Sequence, residues 1–70
     1  MNEFLDKMSQ ILEAPVSLNT PFRELEDYSS LKGFGILVTL ENDYNREMNI
    51  DEFLTMSTIG DLAAAAGVQD

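Results

Sequence analysis

The chain has 70 residues, with thirteen acidic side chains against four basic ones, a formal net charge of −9, and neither cysteine nor histidine. That composition excludes disulfides, Cys/His zinc sites and histidine-based triads, and without clustered Lys and Arg it argues against nucleic acid as a partner. A hydrophobic content of 44% is too high for a disordered acidic tail, so the expectation is one folded acidic domain over residues 1–70.

No apolar run approaches membrane-spanning length, and the N-terminus MNEFLDKMSQ is mixed and acidic, unlike a secretory signal. The missing cysteines fit a reducing compartment, and the expected location is cytoplasmic. In Asn2 to Leu12, Phe4, Leu5, Met8, Ile11 and Leu12 share one helical face. Asn2 is placed to cap that helix, and Pro15 should stop it by Glu13.

From Glu13 to Ser29 the apolar pattern is irregular and is broken by Pro15, Asn19, Thr20 and Pro21. So long a connection needs pins, and Phe22 and Leu25 are the candidates. Thr20-Pro21 can start a single turn, with Arg23 and Glu24 expected to face outward.

The stretch DYSSLKGFGILVTLENDY, Asp27 to Tyr44, predicts the central helix, from about Ser30 to Asp43 or Tyr44. Ser29 is a natural N-cap, its oxygen accepting from a backbone N–H two or three residues on. Ser30, in the first turn, has its hydroxyl near unpaired N–H groups and the positive end of the helix dipole, a setting that suits a phosphate ester. The plainer reading is that two serines before an apolar run simply cap it. Ile36, Leu37, Leu40 and Tyr44 should face the core. Leu31, Phe34 and Val38 form a second stripe, either a widening of the core face or a contact surface. Gly33 and Gly35 each cost about 1 kcal/mol relative to alanine in a helix interior, so something else must compensate for them or require them.

Beyond a polar turn anchored by Met48, Asp51 is expected to cap a short segment from Glu52 to Met56, with Phe53 and Met56 inward. Thr58-Ile59-Gly60-Asp61 reads as a capping box with aspartate in place of glutamate, opening a last helix to Ala66 that Gly67 ends. The fold class is therefore all-α: a small bundle of three main helices with a short one before the last.

Two chemistries fail on their residues. Asp43, Asn45, Glu47, Ile50 and Asp51 fall in the register of an EF-hand loop, but Met48 stands where the turn needs glycine and Leu54 where the bidentate glutamate belongs. No metal site is assigned, only weak cation binding to that acidic turn. Ser29 and Ser30 have no histidine base, and there is no glycine-rich phosphate loop, so the chain is not read as an enzyme.

Phe22, Ser30-Leu31, Leu40-Glu41, Tyr44, Met48 and Thr58-Ile59, in that order and ungapped from Phe22 to about Leu62, resemble the acyl carrier protein family. The resemblance implies 4′-phosphopantetheine on Ser30, holding an acyl or aminoacyl group as a thioester for delivery between enzymes of a fatty-acid, polyketide or other specialised pathway. It implies that Leu31, Phe34, Val38 and Glu41 meet partners. Those would be a phosphopantetheinyl transferase and acyl-transferring or acyl-activating enzymes with basic patches, served by a free-standing monomer. Ser29 replaces the family's aspartate, Leu25-Glu26 its Leu-Gly pair, and the double-glycine loop of peptidyl carrier domains is missing. Lys32 and Gly35 stand where the family often has acidic residues, on the side expected to face an enzyme. These departures point to a dedicated system. The alternative is an unmodified carrier-like domain that docks a partner through Leu31, Phe34 and Val38.

Overall fold

The computed structural model describes residues 2–68, and among them there are four α-helices and no strand. The first, α1 (Asn2–Leu12), buries Phe4, Met8 and Leu12, the face set by its apolar spacing. Asn2 is already helical rather than standing outside as the cap. The helix ends where Glu13 turns left-handed (φ 56°) and the Ala14 N–H reaches back to the Ser9 carbonyl at 3.2 Å.

Helix α2 (Ser30–Tyr44) carries Ile36 and Leu40 into the core, with Leu37 and Tyr44 half-buried beside them. Asn45 ends it in the left-handed region, its N–H bonded to the Leu40 carbonyl, a conformation that asparagine tolerates better than most residues. Phe4 of α1 meets the Tyr44 ring edge-on at 5.4 Å.

The short helix α3 (Ile50–Leu54) begins earlier than the sequence suggested. Asn49, not Asp51, is the cap: its side-chain oxygen accepts from the Glu52 N–H at 2.8 Å. Asp51 and Glu52 then occupy the first turn, where carboxylates oppose the positive end of the dipole. Phe53 is buried and Met56 half-buried, as expected.

Helix α4 (Ile59–Ala66) opens with the expected capping box. Thr58 Oγ1 accepts from the Asp61 N–H, and Asp61 Oδ2 accepts from the N–H groups of Thr58 and Ser57 at 3.1 and 2.9 Å. Gly67, at φ 76°, closes it.

The long connection is pinned more firmly than its side chains alone required. Phe22 is fully buried inside a single 3-10 turn (Phe22–Glu24), with Leu25 packed behind it. The Leu18 and Thr20 carbonyls accept from Gly60 and Ile59 at 2.8 and 3.1 Å, so the loop supplies partners for two of the amides that a helix start leaves open. A β-carbon on Gly60 would stand 3.0 Å from the Leu18 carbonyl, so the contact needs glycine there. Arg23 does not face outward. Its guanidinium donates to the Phe53 and Met56 carbonyls and lies 4.8 and 4.9 Å from the Phe22 and Phe53 ring centres. The Phe53 carbonyl also accepts from the Met56 N–H at 3.0 Å, and a planar cation between two aromatic faces can serve it and the Met56 carbonyl together.

Candidate functional site

Ser30 is the first residue of α2 and is exposed. Ser29 holds the N-cap position in extended backbone (φ −146°, ψ 167°), and its carbonyl accepts from the Gly33 N–H at 3.1 Å. Its hydroxyl, however, makes no capping bond, contrary to expectation. The opening amides of α2 thus have no side-chain acceptor, while those of α3 and α4 do. An exposed hydroxyl beside uncapped amides at the positive end of a fifteen-residue helix is a setting for a phosphate group.

The second stripe is a surface and not a wider core. Leu31, Phe34 and Val38 are 80%, 58% and 54% exposed, while Ile36 and Leu40 on the neighbouring face are fully buried. Glu41 is exposed next along the helix. Phe34 divides two hollows. One is a cleft of about 240 Å³ on the Ser30 side, walled by Tyr28, Gly33, Phe53, Ile50, Leu54 and Arg23. The other is a more open groove formed with Leu37, Val38, Met48 and the carboxylates Glu41 and Glu47.

Lys32 and Gly35 do not belong to this surface. Lys32 Nζ donates to the Leu12 carbonyl at the end of α1 (3.2 Å), and a β-carbon on Gly35 would stand 3.2 Å from a methyl of Ile11. Both residues face α1. They cannot act on a partner in the way the sequence comparison suggested, and Gly35 is there to let two helices approach.

Sequence reasoning missed the far wall of the cleft. Ile50 and Leu54 are 50% and 60% exposed and four residues apart on α3, so their spacing was the available signal. Tyr28 and Arg23 carried no such signal, because only the folded loop brings them to Ser30.

At the start of α4, hydrogen bonds from the backbone of Ser57 and Thr58 hold the Asp61 carboxyl below the ordinary value of 3.8. It lies in the α4 cap, and its role is structural.

No curated protein and no solved structure matches the chain. A family model does, over residues 2–66: the one described as phosphopantetheine attachment site.

Proposed function

The chain belongs to the phosphopantetheine attachment-site family, and from that membership we propose that it is a non-catalytic acyl carrier in which Ser30 bears 4′-phosphopantetheine. The observation that carries the assignment to Ser30 is its combination of an exposed hydroxyl, the start of α2 and an adjoining apolar cleft. The residues fit the group: the exposed hydroxyl would be the point of attachment, and the uncapped amides of α2, at the positive end of the dipole, would favour its phosphate. When bound, the group supplies a thiol that holds an acyl or aminoacyl cargo as a thioester. The protein's own residues position and present it. Leu31, Phe34 and Val38 offer an apolar contact, and Glu41 adds charge for enzymes with basic patches, including the transferase that loads Ser30.

A net charge of −9 supports a monomer that meets cationic partners, and the absence of cysteine fits a cytoplasmic setting. A dedicated pathway is supported by Ser29 and by Leu25-Glu26, and no longer by Lys32 or Gly35. Co-expression with a broad-specificity phosphopantetheinyl transferase, followed by intact mass, tests the assignment. One added group, lost in Ser30→Ala, is the expected result. Retention in Ser30→Ala would move the site to Ser29, and no addition to the wild type would favour the unmodified interaction domain.

A further inference from the structure

The cleft beside Ser30 is apolar along Phe34, Ile50, Phe53 and Leu54, with a small polar share among its other lining residues. Arg23 and Tyr28 both line it. Arg23 is immobilised by the Phe53 and Met56 carbonyls, and those bonds use two of the five N–H donors a guanidinium carries. The Tyr28 hydroxyl, held over Gly33, has no hydrogen-bond partner among the described residues. A purely alkyl occupant would cover these donors and take them from water without replacing the bonds, which is unfavourable. At about 240 Å³ the cleft is also smaller than the roughly 300–1,000 Å³ that encloses a drug-sized ligand.

We propose that this cleft selects a short acyl cargo bearing a ketone oxygen, which accepts hydrogen bonds from Arg23 and Tyr28, over the saturated chain of equal length. This rests on Ser30 carrying the arm that delivers the cargo. A neutral acceptor is favoured over a carboxylate because the molecule's net charge of −9 opposes a further anion, and one guanidinium already shared with two carbonyls offsets little of that.

The test uses the full chain in two forms. In one, Ser30 is loaded with hexanoyl, 3-oxohexanoyl or 5-oxohexanoyl phosphopantetheine; in the other, the same acyl pantetheines are added free. The readout is amide chemical shift at Gly33, Phe53 and Leu54, with the Arg23 side-chain N–H followed directly. At least one free oxo form should bind about 2- to 10-fold more tightly than hexanoyl, the net worth of one hydrogen bond. It should also move the Arg23 resonance. Tyr28→Phe, which removes only the hydroxyl, should reduce the preference, and the Arg23 resonance reports on the wild type if Arg23→Lys does not fold. Equal binding of oxo and saturated forms, shifts centred on Val38 and Met48, the same shifts from the unacylated arm, or no shift in either form would each overturn the proposal. A chain that cannot be loaded yet prefers the free oxo form overturns the assignment of Ser30 and leaves the cleft preference standing.

Discussion

The phenolic oxygen of Tyr28 lies 2.6 Å from the point where a β-carbon on Gly33 would stand. Tyr28 cannot yield cheaply, because its ring also meets Phe22 edge-on at 6.0 Å, a contact of about 0.5–1.5 kcal/mol. Gly33→Ala should therefore lose stability, although alanine is the better helix former by about 1 kcal/mol. In a Tyr28→Phe background the obstruction is gone, and the same substitution should become stabilising. Urea titration of the four variants reads the sign directly. A gain in both backgrounds would mean that Tyr28 moves aside without loss.

The two predicted caps should separate in the same assay. Thr58→Ala breaks a bond the structure makes and should cost about 0.5–2 kcal/mol. Ser29→Ala removes a hydroxyl that bonds nothing at the start of α2 and should stay within about 0.5 kcal/mol. Equal losses would show that Ser29 caps α2 in solution.

Arg23 should be the most sensitive of the basic residues. It joins the loop to the end of α3 through two carbonyls and lies against two rings, so Arg23→Ala should cost about 2–3 kcal/mol. Lysine should recover only part of that, since it lacks the planar fork. Lys32→Met, which removes a single contact to the end of α1, should cost no more than about 1 kcal/mol. A reversed order in thermal melts would contradict this ranking.

Acid should act on the α4 cap. Asp61 has its folded pKa lowered by the Ser57 and Thr58 backbone bonds, so its contribution is fully present above the ordinary value of 3.8. The contribution is lost as the pH falls through the lower, folded value. Asp61→Asn should flatten that part of the stability profile. Lys7 is the opposite case: its hydrogen bond to Asp43 raises its pKa, so its contribution holds below 10.5 and is lost as the pH climbs through the higher folded value. An NMR titration that gave Asp61 an ordinary carboxylate pKa would remove the acid arm of this prediction.

Helices α1, α2 and α4 were legible because each carries its own signals: one-faced spacing, a capping box, a glycine stop. The place of Ser30 at the start of α2 and the shared stripe of Leu31, Phe34 and Val38 were legible for the same reason, while only packing decided that the stripe is exposed. Beyond the local caps at Asn2 and Ser29, what failed were interactions between distant segments. Arg23 lies thirty residues from Phe53 in sequence and Lys32 twenty from Leu12, and no local pattern announces either bond. The start of α3 was misplaced because Asn49 and Asp51 are both good caps, and only the Asn49 bond to Glu52 decides between them.

Those long-range cations have a collective consequence. Lys32 bonds to the end of α1, Lys7 to Asp43 in the last turn of α2, Arg23 to the end of α3, and Arg46 to the Ala65 carbonyl of α4. Each of these cations is thus engaged at a helix exit, and these four are all the Lys and Arg the sequence has. The formal net charge of −9 then sets the sign of the long-range field. Two copies therefore repel at long range, a barrier that a neutral surface of mixed sign would lack. On so acidic a molecule the exposed Leu31, Phe34 and Val38 stand as an apolar interruption that marks one side from the rest.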